Sequence, residues 1–166
     1  MSPEIWSHSF TYGGILAGLM FLFIMGSMIY NRELWLNDYP PDIRKKYGEP
    51  SEKTVKQRKF FGVAMLTLMI AVLLADGLTL QPSAGDKPTF LLVFRSLVIV
   101  FLIGSLMDLV VIDLFFGMVI RPKFMVLPGT EGMAGYRDVK FHFNAFVRGA
   151  LSGAVLCLIL AGVVSL

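Results

Sequence analysis

Asp108 and Asp113 are the side chains whose position argues most directly for chemistry, because both lie inside an almost unbroken apolar run from Phe90 to Ile120. A carboxyl group at the centre of a membrane helix costs roughly 2.5 to 3.5 kcal/mol even on the gentlest insertion scale, so a chain that carries two must offset them or use them. Five residues of α-helix turn through about 140°, which predicts that the two acids occupy different faces and form no dyad. Asp108 shares a face with Gly104 and Ser105 and is expected in a tight helix contact, with Ser105 as a hydrogen-bond partner. Asp113 lies about 12 Å from Arg121 along the axis and shares a face with Gly117, so it is expected to look toward the loop end of the bundle. That makes it the stronger functional candidate. The functional reading is a polar intramembrane site for a proton, cation or polar head group; the structural reading is interhelical hydrogen bonding that fixes helix register.

His142 stands in Phe141-His142-Phe143, four residues after Asp138. A carboxylate at that spacing shares a helical face with the imidazole and would orient it for acid and base work, or as one arm of a metal site. One histidine and one acid make no metal-ligand set, however, and the favoured alternative is an interfacial helix over 138–148. There Phe143, Phe146 and Val147 would face lipid, with His142 an amphipathic filler. Glu131 sits in a glycine-rich run at 128–135 that could cradle a phosphate or lipid head group, with Arg121, Lys123 and Arg137 nearby. The run lacks P-loop or dinucleotide spacing, so a structured turn over the bundle's mouth is the plainer expectation. Asp76 and Arg95 are expected at the opposite membrane surface, as an ion pair with each other or with Arg95 turned to Asp86. The candidate site therefore comprises Asp113 and Asp108 within the membrane and His142, Glu131, Asp138 and Arg121 at its mouth. No catalytic residue, cofactor or metal set is assigned.

The elements that must position these groups are membrane spans. The chain is 55% hydrophobic and 16% charged, against about 25% charged in ordinary soluble domains. Its 166 residues hold four spans and short connections, which predicts an all-α transmembrane bundle of four helices forming a single domain over 1–166. The spans are expected near 13–30, 61–80, 90–120 and 147–166. The third would be about 46 Å long as a helix, more than the roughly 30 Å hydrocarbon core of a bilayer, so it is tilted or overlong. The first twelve residues contain Glu4 and no Lys or Arg, the wrong start for a signal peptide, so the first helix is expected to be retained. Gly14 and Gly18 predict a close helix approach on span one. On span four, Ala145, Gly149, Gly153, Cys157, Ala161 and Ser165 make a small-residue stripe for close packing, available to a membrane-protein partner or a second copy.

Thirteen of the fifteen Lys and Arg residues fall between the first and second spans or from Arg121 to Arg148 at the start of the fourth, leaving only Lys87 and Arg95 elsewhere. The positive-inside rule then makes loops 31–60 and 121–146 cytoplasmic, joined in a structured cap, and puts both termini outside. The same rule explains the +3 formal charge without nucleic acid. In the first loop, Pro40 and Pro41 precede a short helix ended by Gly48, and Ser51 is expected to cap a helix that runs into span two. The single cysteine, Cys157, excludes an intrachain disulfide.

The run 113–123, followed by Pro128-Gly129-Thr130-Glu131-Gly132, Tyr136 and Phe141-His142-Phe143, together with 35–43, resembles a family of small prokaryotic four-span integral membrane proteins of uncharacterised activity. The resemblance implies the span count and a prokaryotic plasma membrane, and assigns no role to any residue. The arginine- and asparagine-rich signature of glutathione-using four-span enzymes and the cysteine pair of quinone-linked thiol oxidases are both missing. The leading functional expectation is a polar intramembrane site, open to the cytoplasmic side, for a small polar solute, proton or lipid head group. The alternatives are a membrane enzyme acting on a lipid or quinone at the inner leaflet, and an accessory or structural subunit of a membrane complex.

Overall fold

A computed structural model describes residues 2–81 and 87–166. Most of the turn expected at 81–88 lies outside the described residues, and with it the pairing of Arg95 with Asp86. Four helices are long and apolar enough to cross a membrane: α1 (Pro3–Tyr30), α3 (Glu52–Thr79), the third span Phe90–Ile120, and α5 (Val139–Val164), while α2 (Pro41–Tyr47) is short. The third span begins as α4 (Phe90–Met107) and continues as a π-helical segment, Asp108–Ile120. No strand occurs among the described residues, and the molecule is an all-α bundle.

The helices outrun the apolar stretches because polar caps start them outside the lipid-facing segments. Ser51 Oγ accepts from the Thr54 amide at 3.2 Å, Thr89 Oγ1 from Leu92 at 3.4 Å, and Asp138 Oδ1 from Phe141 at 2.9 Å. Each bond satisfies an amide that the helix itself leaves without an acceptor. As expected, the Ser51 helix runs unbroken into span two, and α2 ends at Gly48, whose φ of +94° favours glycine.

Span three is the hub and touches all three other long helices. Val93, Leu97 and Val100 recur at helical spacing and are fully buried, in one core with Leu16 of α1, Leu73 of α3 and Cys157 of α5. Close approaches are set by glycines, though not by the expected pair on α1. Gly14 and Gly18 are exposed, with nothing near the position of a Cβ. Gly13 is used instead, since a Cβ there would meet Ile103 at 2.4 Å. On α5 a Cβ at Gly153 would lie 2.0 Å from the Phe101 ring, and Gly153, Cys157 and Ala161 are all buried. The middle of the small-residue stripe is thus spent inside the bundle.

Both connections on one side of the bundle fold into a cap around Leu36, Tyr39, Ile43, Leu127 and Tyr136. Tyr39 OH donates to the Met125 carbonyl at 2.9 Å, and Tyr136 OH accepts from the Leu127 amide at 2.9 Å. Gly135 leaves room for the Asp42 carboxylate, 2.2 Å from where a Cβ would stand. Glu33 joins the cap to α3 by accepting from Tyr47 OH and from Thr54 Oγ1. The tyrosine bond holds the Glu33 carboxyl below the usual range, while burial and the same bond push Tyr47 up to about 12. At the opposite end the expected Asp76–Arg95 pair does not form. Asp76 is fully buried, with Oδ1 3.2 Å from His8 Nε2 and accepting from Ser96 Oγ at 3.1 Å, while Arg95 is exposed.

Candidate functional site

The π-helical winding of the third span decides where its acids point. Hydrogen bonds from i to i+5 widen each turn, so residues five apart come round to the same side. Asp108 and Asp113, set on different faces by α geometry, accordingly line one cavity of about 260 Å³. Asp108 does not sit in the packed helix contact expected of it. Gly104 makes that contact with Leu16 and Met20, and Asp108 shares the cavity wall with Ser105.

His142 closes the cavity from α5. Its Nδ1 lies 3.0 Å from Asp113 Oδ2, where Nδ1–H donates to the carboxylate, and both side chains are partly buried. The interfacial-filler reading is overturned on this point, since the imidazole faces protein and cavity and not lipid. The partner is also different from the one expected. Asp138 has its Oδ1 on the Phe141 amide as helix cap, so Asp113 orients the histidine. Among the described residues that contact with Asp113 is the one ion pair His142 makes, and the imidazole lines the cavity.

A third carboxylate comes from the first cap connection. Asp38 ends the 3₁₀ segment Arg32–Asp38 and lines the same cavity beside Trp35 and Asn37. Asp38 is an exposed residue at the cavity, flanked by the buried Leu36 and Tyr39. Desolvation pushes its pKa up, the charge of Asp113 adds to the effect, and Arg58, Arg44 and His142 oppose it. Trp35 is itself fixed, because its Nε1–H donates to Ser27 Oγ at 2.8 Å. Phe141, Phe146 and the exposed Arg148 complete the wall, and a 50 Å³ recess bounded by Tyr39, Gly117 and Tyr136 extends it under the cap.

The expected site therefore divides. Asp108, Asp113 and His142 converge, Asp138 serves as a cap, and Arg121 and Glu131 line a separate open basin with Lys123 and Arg32. Asp38 is absent from the sequence-based set, since it stands 75 positions before Asp113 in a loop whose aromatics read as interfacial anchors. Among the described residues no three His, Cys, Asp or Glu side chains meet closely enough to hold a metal ion. The cavity can hold a small molecule against three carboxyl groups and aromatic rings, and can exchange a proton through the Asp113–His142 pair. No protein-family profile, curated protein or solved structure matches the chain, so the functional reading rests on this geometry.

Proposed function

We propose that this polytopic membrane protein binds a small cationic solute in the acid-lined cavity and exchanges a proton with it through Asp113 and His142. The observation that carries the reading is the convergence of Asp38, Asp108 and Asp113 on one cavity from two separate segments of the chain. Carboxyl groups facing one cavity cost less when a cation enters it, and the rings of Trp35, Phe141 and Phe146 suit the apolar part of an organic cation. The 260 Å³ volume lies just under the usual range for ligand pockets and favours a small solute. By the distribution of Lys and Arg the cavity opens to the cytoplasm.

Trp35 lines the cavity and Trp6 is the one other tryptophan, so a W6F protein reports on the site by fluorescence. Titration with tetramethylammonium, a permanent cation, should give a saturable change. D113N should weaken it at least tenfold while the protein keeps its helical content and monodispersity. An unchanged titration in D113N would remove the reading. A second reading, an enzyme acting on a lipid or quinone at the inner leaflet, draws on the 3.0 Å His142–Asp113 contact beside an open cavity, the arrangement a general base requires. Product formed from an added lipid or quinone, lost in H142Q, would favour it over binding.

A further inference from the structure

The basin that takes Arg121 and Glu131 away from the acid cavity has a chemistry of its own. It encloses about 440 Å³ at the end of the third span, where Arg32, Arg121 and Lys123 face it against the single carboxylate of Glu131. None of these four forms an ion pair among the described residues. The guanidinium of Arg32 is held by two backbone carbonyls, donating to Lys123 O at 2.8 Å and to Val126 O, which fixes the cation without neutralising it. Arg121 is the one non-glycine residue with positive φ among the described residues, at +48°, and its amide donates to Phe116 O at 2.8 Å. A left-handed residue that is not glycine is held there against its own preference, and such positions gather at ligand-binding turns. The turn carries Arg121 to the basin at the point where the span leaves the apolar phase.

We infer that this basin binds a phosphate ester, with Arg121 and Lys123 on its oxygens and Arg32 as a fixed cationic wall. Guanidinium and ammonium groups together are the usual protein complement of phosphate, the first by its planar fork and the second as a point charge. Three cations against one carboxylate leave charge for one phosphate. Arg121 follows directly on the last turns of the span, where Phe115, Val119 and Ile120 are exposed apolar side chains that would lie along acyl chains, so a phospholipid fits as well as a soluble phosphate. The inference does not rest on the cation reading of the acid cavity.

The test uses the full chain in a neutral maltoside detergent, with bound lipid counted by native mass spectrometry. Dioleoyl phosphatidylglycerol should be retained and dioleoylglycerol, which lacks the phosphate, should not. R121Q/K123Q should weaken retention at least tenfold, whereas K45Q/K46Q, which removes two exposed cations outside the basin, should leave it unchanged. K123Q alone changes an exposed side chain and keeps the test open if the double variant fails to fold, with a loss of at least threefold expected. Displacement of the lipid by millimolar inorganic phosphate would assign the site to the phosphate alone. Retention in its presence would assign it to a phospholipid held also by its chains. Equal retention by wild type and both basin variants, or an equal loss in K45Q/K46Q, would overturn the proposal.

Discussion

Asp38 should carry much of the pH dependence of the acid cavity. Its carboxyl is raised above the ordinary range by desolvation and by the charge of Asp113, against the pull of Arg58, Arg44 and His142. A bound cation favours the ionised form, so binding expels the proton, and affinity must fall as pH is lowered through that raised pKa. For one linked proton the limit is about tenfold in affinity per pH unit below the pKa. D38N removes both the charge and the linkage. Tetramethylammonium titrations of the W6F protein should therefore show a flatter pH profile in D38N, and at neutral pH an affinity lower by about tenfold, or about 1.4 kcal/mol. A D38N profile that parallels wild type would show that Asp38 does not carry the linkage. The residue scale also shows why sequence reading singled out Asp108 and Asp113, which share the cavity, and passed over this one. A charge inside an apolar run advertises itself by its cost, whereas an aspartate in a polar loop looks like any other until the cap folds it over the cavity.

The π-helical segment is the element on which the site depends. Wound as an α-helix, the same residues would set Asp108 and Asp113 about 140° apart, and the cavity would keep at most one of them. Nothing in the residue types Asp108 to Ile120 distinguishes the two windings, because the apolar run supports either, so the sequence made the span legible and left its pitch hidden. The Ser51 cap was legible for the opposite reason: Ser51 bonds a backbone amide three residues on, a local matter that spacing reveals. Asp138 makes the same bond, although its spacing was read only toward His142. The winding can be tested by metal bridging. With Cys157 replaced by serine to remove the native thiol, a D108C/D113C protein should bind Cd²⁺ at least tenfold more tightly than either single cysteine variant, measured as protection from maleimide labelling. Two thiols on one side of a helix can share a soft cation, while two on different faces cannot. Equal protection in the single and double variants would mean an α-helical pitch.

At the scale of the whole molecule, the two ends of the bundle are built differently. One end carries the cap, with its own apolar cluster, the acid-lined cavity and the basic basin, while the other holds the compact His8–Asp76–Ser96 contact among the helix ends. The cap side also holds thirteen of the fifteen basic residues, which is the asymmetry that orients membrane helices during insertion. The basic residues and the folded cap thus coincide on one side, and the positive-inside rule would put the cap, the acid cavity and the basic basin together on the cytoplasmic side. Cysteine labelling on a C157S background tests that placement directly. A cysteine at exposed Lys45 in α2 should react with a membrane-impermeant maleimide only after the cells are permeabilised, and one at exposed Glu4 should react in intact cells. The reverse pattern would turn the acid cavity outward, and the proposed solute would then be captured from the exterior. Reaction of both sites in intact cells would point to two populations of opposite orientation, for which the loop charges would have to be too weak a bias. A margin of thirteen to two argues against that outcome, because the charge difference is set mainly by short connections close to the spans, where its effect on insertion is greatest.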